Sequence, residues 1–180
     1  MLLRIHRPII WKSASCLDLV LIMPHVISIE TPIGLLFARG GNAITHLGWA
    51  IKVGSPPNAL LREAQRQIAA YFQGELKRFD LPLLPQGTSF QCEIWRHLKS
   101  IPYGITVGYG ALGATLSTSA RAIGGACAAN PIPLLIPCHR IVGKDGRLTG
   151  YSGGNGLQTK KQLLLLEKRY LKDSSPNSTK

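Results

Sequence analysis

Short apolar runs divided by turn residues mark the first part of the chain. Apolar residues cluster at 26–29 and 35–37, on either side of residues 31–34, where proline and glycine occupy positions that favour a turn. A second glycine-rich turn at 40–42 precedes another apolar segment, 43–53. Runs of this length between turns are typical of strands, so the pattern predicts a small antiparallel sheet.

Apolar residues at helical spacing mark much of the remaining chain. Asn58 is a suitable N-cap for a helix that continues to about Phe72. The apolar stripe of this helix contains Leu60, Leu61, Ala64, Ile68 and Tyr71. Further helices are predicted over 90–101, 109–116 and 120–129, where Ser119 can cap the last of them.

The segments between these helices indicate how they are connected. The second and third helices of the latter group, joined by a turn at 117–118, form a candidate helix-turn-helix, although many helix pairs share this pattern. Residues 132–136 are apolar and predict a buried strand or extended segment. A hairpin-like loop is expected at 143–146 and a final amphipathic helix at about 157–171.

These elements predict a mixed α/β (α+β) protein in two parts. A connector rich in proline, glycine and leucine places a domain boundary near residue 85. We expect a small antiparallel sheet with a helix over 23–85. A mainly helical domain with the helix-turn-helix and an active-site loop should follow over 86–180. Residues 1–22 are an extension of uncertain status, and Met23 is an alternative start.

Charge suggests the kind of partner. The 180 residues include 21 Lys and Arg against 9 Asp and Glu, which gives a net charge of +12. Residues 1–86 contribute +4 and residues 87–180 contribute +8, so the partner-facing surface is expected in the second half. Nucleic acid is the favoured partner and anionic lipid a second one; alternatively, the charge only keeps the protein soluble.

Cysteine spacing argues against a metal or disulfide framework. Cys16, Cys92, Cys127 and Cys138 are far apart and form no CxxC pair. We therefore expect reduced thiols, a reducing and hence cytoplasmic location, and no metal. The longest apolar runs are too short to span a bilayer, so no membrane partner is expected.

Cys138 is the candidate nucleophile. It lies between Pro137 and the basic pair His139-Arg140, and a neighbouring cation favours the reactive thiolate. The alternative is a buried structural cysteine. His139 cannot easily reach the sulfur of its own neighbour directly, but a bridging water would serve. Glu167 is either a buried partner for this histidine or the exposed edge of the last helix.

The helix at 120–129 is unusual because nearly all its side chains are small. Arg121 is its only long side chain, and two adjacent glycines cost about 1 kcal/mol each relative to alanine. Such a helix can approach a narrow surface closely, which favours sequence-independent binding in the minor groove of DNA over base reading in the major groove. The alternative is a tightly packed core helix with one solvated arginine.

Three sequence segments at and around Cys138 give a more specific indication of the protein family. They are IPCHRIVGKDGRLTGYSGG, the preceding RAIGGACAANP and the following helix with LLLLE. The upstream string GTSFQCEIWRHLKSIPYG extends the similarity, which covers roughly residues 26–169. This part of the chain resembles the O6-alkylguanine-DNA alkyltransferase family, also called methylated-DNA–protein-cysteine methyltransferases.

The resemblance implies roles for the residues around the thiol. Cys138 would be the alkyl acceptor, and His139 and Glu167 would form a water-mediated relay that activates it. Asn130 would be the hinge asparagine that orders the turn before the active-site segment. Tyr109 would help to rotate a phosphate and would hydrogen-bond the extruded base.

The resemblance also implies groups that bind substrate and DNA. Arg121 would fill the gap that the extruded base leaves in the stack. Tyr151 and Ser152 would form the pocket wall near the guanine O6. The backbone carbonyl of Ile141, with that of the acceptor cysteine, would accept hydrogen bonds from the guanine amino group. Arg140, the second basic residue after the thiol, is expected among the DNA-binding groups.

The implied function is stoichiometric and irreversible DNA repair. A monomer without a cofactor would bind double-stranded DNA, extrude an O6-alkylguanine or O4-alkylthymine, and transfer the alkyl group to its own cysteine. One alternative is a lesion-binding protein of the same fold without transfer activity. A third possibility is a Cys-His-Glu hydrolase or amidotransferase, for which a strongly basic surface would be unusual. The family's eukaryotic zinc site has no match here, because Cys16, His25 and His46 do not align with its ligands.

Overall fold

The computed structural model describes residues 24–50 and 54–172. Three strands form an antiparallel sheet in the order β1-β2-β3, as the sequence predicts. Their bounds are His25–Ile29 (β1), Leu36–Gly40 (β2) and Ile44–Gly48 (β3). The turn between the first two strands is closed by a 3.0 Å bond from Gly34 N to Thr31 O. The third strand is shorter than the predicted 43–53, and residues 51–53 lie outside the described part.

Helix α1, Ala59–Gln73, covers this sheet. It begins where predicted, because Asn58 Oδ1 accepts a 3.0 Å hydrogen bond from Leu61 N. The predicted apolar stripe is largely buried, with Leu61, Ala64, Ile68 and Tyr71 each at 0% exposure. Gly74 ends the helix in a left-handed conformation that directs its N–H back to the last turn.

The second half is mainly helical. Helix α2 spans Ser89–Ser100, α3 spans Tyr109–Thr115 and α4 spans Ala120–Ala128. The Ser119 side chain caps α4, as predicted, and α3 and α4 pack together as a helix pair. Two short parallel strands, Val107–Gly108 (β4) and Ile141–Val142 (β5), connect the start of α3 to the segment after the candidate nucleophile.

Two connecting segments differ in detail from the sequence prediction. Residues 132–136 do not form a strand or extended segment. They form a buried tight turn in which Ile136 N donates to Ile132 O, and Leu134 has a φ of 74°. The predicted loop at 143–146 contains a short 3₁₀ turn, Lys144–Gly146. The last helix, α5, spans Leu157–Lys172.

One hydrophobic cluster extends through the described residues. It runs from the sheet and α1 to the buried face of α5 around Leu163. A buried 2.8 Å bond from Trp95 Nε1 to Ala126 O connects α2 to α4. The boundary near residue 85 stays a prediction. Among the described residues, no helix is long and apolar enough to cross a membrane.

Candidate active site

The candidate nucleophile lies in a cavity of about 780 Å³. Helices α3 and α4 form one side of this cavity, and the loop before α5 forms the other. Its lining includes several residues predicted from the sequence as site residues, namely Tyr109, Arg121, Cys138, Tyr151 and Ser152. Cys127, a second cysteine, lines the same cavity.

Cys138 is held by the turn that precedes it. The residue begins a 3₁₀ turn, Cys138–Arg140, and only 5% of it is exposed. Asn130 Nδ2 lies 3.4 Å from the sulfur and 2.9 Å from Ile136 O. Asn130 Oδ1 accepts a 3.0 Å bond from Ile132 N. One amide side chain therefore orders both the turn and the thiol.

The surroundings of Cys138 have opposing effects on its ionisation. Burial raises the pKa of the thiol, because a thiolate loses its hydration inside the protein. The hydrogen bond from Asn130 and the charge of Lys160 lower the pKa but do not outweigh burial. The thiol is therefore protonated at neutral pH and requires an acceptor for its proton before it can act as a nucleophile.

Glu167 is the buried partner of His139, which resolves the two possibilities that the sequence leaves open. Its carboxylate has no exposed surface and accepts hydrogen bonds from four residues. Two of the donors are Tyr71 Oη and Gly104 N, each at 2.7 Å. The others are His139 Nε2 at 2.8 Å and the Arg140 guanidinium at 2.9 and 3.1 Å.

The Glu167 carboxylate is fully ionised in this environment. Burial by itself would raise its pKa, but the hydrogen bonds from His139 and Arg140, together with the positive charge of Arg140, outweigh burial and lower the pKa to about 2. Burial lowers the pKa of His139, so its imidazole is neutral at pH 7. With a carboxylate at Nε2, the proton resides on that nitrogen, and Nδ1 keeps a lone pair that can accept a proton.

Nδ1 of His139 is the ring nitrogen that is left to accept such a proton. Nδ1 is buried and has no hydrogen-bond partner among the described residues. A buried nitrogen of this kind normally bonds to an ordered water. The arrangement therefore supplies a base beside Cys138, with its tautomer set by Glu167.

Arg140 is placed differently from the sequence expectation. Its guanidinium is bound to the Glu167 carboxylate and donates a 2.6 Å bond to Ile101 O, and 6% of the residue is exposed. It also lies 5.7 Å from the centre of the Tyr103 ring. This burial argues against contact with DNA and shows that Arg140 compensates the charge of the carboxylate.

Lys160 is a residue that the sequence reading missed. It has no exposed surface, and its Nζ donates to Thr149 O at 2.8 Å and Gly150 O at 3.2 Å. The ammonium lies 5.6 Å from the centre of the Tyr109 ring, and its charge lowers the pKa of Cys138. Helical spacing offered a signal, because Lys160 precedes the buried Leu163 and Glu167 by three and seven positions.

Two tyrosines bring neutral hydroxyl groups to the cavity. Burial raises the pKa of Tyr109 to about 12, and its hydroxyl lies 3.5 Å from both Thr149 O and Gly150 O. Burial also raises the pKa of Tyr151, whose hydroxyl has no hydrogen-bond partner among the described residues. Both hydroxyl groups can therefore donate a hydrogen bond to a ligand.

The remaining predicted site residues lie around these groups. Ser152 is exposed, with Oγ 3.4 Å from Ala128 O. Ile141 is fully buried, and its strand pairs with Val107. Arg121 is exposed at the cavity, and the face of α4 that it shares with Gly125 and Ala128 is exposed as well. No group of metal-ligating side chains occurs among the residues that the structure describes.

Comparison with known proteins shows a matching family model and several similar proteins. Residues 89–169 match the family model described as 6-O-methylguanine DNA methyltransferase, DNA binding domain. A methylated-DNA–protein-cysteine methyltransferase of Methanosarcina barkeri is 41% identical over 155 residues, which are 80% of this chain and 97% of that protein. One from Methanosarcina acetivorans is 50% identical over 108 residues, or 59% and 68% of the two chains.

A solved structure agrees with these similarities. The Mycobacterium tuberculosis OGT in complex with DNA is 40% identical, with a TM-score of 0.74, over 81% of this chain and 94% of that one. The chain belongs to the methylated-DNA–protein-cysteine methyltransferase family.

Proposed function

We propose that the protein repairs DNA by transferring the alkyl group of an O6-alkylguanine to Sγ of Cys138. The observation that carries this proposal is the buried hydrogen-bonded pair of His139 and Glu167 next in the chain to Cys138, which lines the cavity. The family to which the chain belongs supports the same reaction. The lesion-binding alternative has no need for a buried nucleophile beside a histidine whose tautomer is set by a carboxylate.

The transfer begins with removal of the thiol proton. His139 Nδ1 accepts this proton through a bridging water, and Glu167 stabilises the imidazolium that forms. The Cys138 thiolate attacks the alkyl carbon, a carbon–sulfur bond forms, and the bond from that carbon to the guanine O6 breaks. Guanine leaves with the electron pair and takes up one proton, for which Tyr109 is a neutral hydrogen-bond donor.

The reaction consumes the protein. The product is a thioether, which has no route back to a thiolate in water, so each molecule acts once. The reaction requires a free thiol, which is consistent with a reducing compartment such as the cytoplasm. The protein acts as a monomer, since all groups in the mechanism come from one chain.

DNA binding uses the exposed face of α4. Apart from Arg121, that face carries only small residues such as Gly125 and Ala128, so its backbone can approach the minor groove closely. The O6 substituent is inaccessible in the stack, so the nucleotide must rotate out of the duplex, at a cost of a few kcal/mol. Arg121, exposed beside the cavity, fills the gap that the base leaves.

The pocket walls then bind the extruded base. Tyr151 and Ser152, which both line the cavity, form the wall against the guanine O6. The backbone carbonyls of Cys138 and Ile141 accept hydrogen bonds from the guanine amino group. Asn130 keeps the turn that carries the thiol in place.

Intact and peptide mass spectrometry tests the function directly. The protein is mixed with duplex DNA that contains one O6-methylguanine, with Cys138→Ala as the control. One methyl increment per molecule, confined to the peptide with Cys138 and absent from the variant, is expected. Tight binding of the lesion without any methyl increment would instead support the lesion-binding alternative.

A further inference from the structure

Trp49 lies where the N-terminal sheet meets the loop that forms one wall of the cavity. It follows β3 directly, and its indole Nε1 donates a 3.0 Å hydrogen bond to Ile33 O in the turn between β1 and β2. This bond fixes the ring to the sheet. None of the catalytic roles proposed above involves Trp49.

The ring packs against two successive glycines of the loop. A Cβ atom placed on Gly153 would lie 2.5 Å from Cζ3 of Trp49, and one placed on Gly154 would lie 2.9 Å from Cε2. Real Cβ atoms do not approach other atoms this closely, so only glycine permits the contact. Trp49 therefore lies directly on the backbone that follows Tyr151 and Ser152.

The wall of the cavity is thus supported on both sides. Lys160 binds the carbonyls of Thr149 and Gly150, just before the two wall residues. Trp49 contacts the backbone just after them. The bond from Ser152 to Ala128 is long, at 3.4 Å, so it adds little support.

The same end of the sheet also contacts the segment that follows α4, the helix on the other side of the cavity. Leu47 N donates a 2.9 Å hydrogen bond to Pro131 O, directly after the hinge residue Asn130. A cleft of about 380 Å³ lies in this region, and its lining includes Trp49, Asn130 and Ser152. The end of β3 therefore contacts both the loop that carries Tyr151 and Ser152 and the segment that carries the hinge residue Asn130.

We propose that Trp49 is a positioning residue that holds the wall at Tyr151 and Ser152 and thereby limits the size of the alkyl group that the pocket accepts. This inference rests on the proposed function and extends it to substrate selectivity. Loss of the ring would let the wall move outward. A small methyl group would then be less well aligned with the sulfur, whereas a bulky benzyl group would gain space.

The test uses Trp49→Ala, Trp49→Phe and the control Ile27→Ala in the full-length protein. Ile27 is a buried residue of β1, so its truncation weakens the same sheet. The first measurement is amide hydrogen exchange in peptides that cover residues 149–156. We expect exchange about tenfold faster in Trp49→Ala, little change in Ile27→Ala, and partial recovery in Trp49→Phe, which retains an aromatic ring.

The second measurement is the rate of alkyl transfer from the free bases O6-methylguanine and O6-benzylguanine. The ratio of the benzyl to the methyl rate should rise about tenfold in Trp49→Ala, stay constant in Ile27→Ala and return towards the wild-type value in Trp49→Phe. Free bases exclude effects on DNA binding.

Unchanged exchange in the loop of Trp49→Ala, or an equal loss of rate with both bases, would overturn the proposal. If the wild-type protein transferred no alkyl group either from these bases or from duplex DNA that contains O6-methylguanine, the proposed function would fail instead. The exchange experiment would then still decide whether Trp49 holds the wall.

Discussion

Replacement of Glu167 by glutamine tests the interaction of the buried carboxylate with His139 and Arg140. The variant keeps the size of the side chain but removes its negative charge and replaces one acceptor oxygen with a donor NH₂ group. Every protein group that contacts the carboxylate is a donor, including Tyr71, His139 and Arg140. The new amide would therefore face donors, and Arg140 would become an unpaired buried cation.

The size of the effect follows from the ionisation of the carboxyl group. Its pKa falls from an ordinary 4.5 to about 2 on folding. Since one pKa unit corresponds to about 1.4 kcal/mol, the ionised form contributes about 3 kcal/mol to the free energy of unfolding. This agrees with the loss of about 3–5 kcal/mol expected when a buried ion pair loses one partner. For a protein of this length, the melting temperature should fall by roughly 6–20 °C.

The sign of the pH dependence gives a second check on Glu167. Because folding lowers the pKa, the contribution is present above pH 4.5 and is lost as the pH falls towards 2. Wild-type stability should therefore drop by about 3 kcal/mol over this range because of this group, and the drop should be smaller by that amount in Glu167→Gln.

A double-mutant cycle with Arg140→Met separates stability from chemistry. The double variant removes both buried charges, so it should be less destabilised than the sum of the two single variants. Its rate of methyl transfer should stay roughly 10²–10⁴-fold low, as in Glu167→Gln, because His139 still lacks its carboxylate. Arg140→Met retains that carboxylate and should lose far less rate. Recovery of transfer in the double variant would refute the relay, and additive losses of stability would refute the ion-pair argument.

Three further outcomes test other parts of the site. Arg121→Ala should slow repair of duplex DNA roughly tenfold or more while leaving transfer from free O6-benzylguanine nearly unchanged; equal losses would exclude a role in base extrusion. Lys160→Met should raise the apparent pKa of Cys138, measured from the pH dependence of iodoacetamide alkylation, because a nearby positive charge is lost. Asn130→Ala should raise the same pKa by removing the hydrogen bond to the sulfur, and an unchanged pH profile would contradict that contact.

Local signals account for the parts of the fold that the sequence predicted. Asn58 and Ser119 cap their helices through bonds within four residues, so the start of each helix could be recognised from neighbouring residues alone. The prediction of a strand or extended segment at 132–136 was wrong, because a short apolar run fits a buried strand and a buried turn equally well. Its turn depends on the side chain of Asn130 and on the positive φ of Leu134, for which the sequence has no signal.

The site was predictable in its chemistry but less so in its geometry. The sequence segments around Cys138 indicated the nucleophile and its relay partners through a family resemblance. Arg140 and Lys160 are different, because charged residues are normally solvated. Nothing local indicates the burial of Arg140, and helical spacing places Lys160 on the buried face of α5 without indicating its partners. Their positions follow from contacts distant in sequence, namely Ile101 with Arg140 and Thr149 with Lys160. Trp49 could not be related to the loop without the structure.

The hydrogen bond from Tyr71 to Glu167 has a consequence for the order of events during synthesis. The two residues are 96 positions apart, and Glu167 lies near the end of the last helix. A contact of such long range forms late, only after the ribosome has synthesised and released residue 167. His139 therefore lacks its carboxylate partner in a nascent chain, and the proposed relay to Cys138 is still incomplete. A protein that reacts only once thereby acquires its reactivity only when its fold is complete.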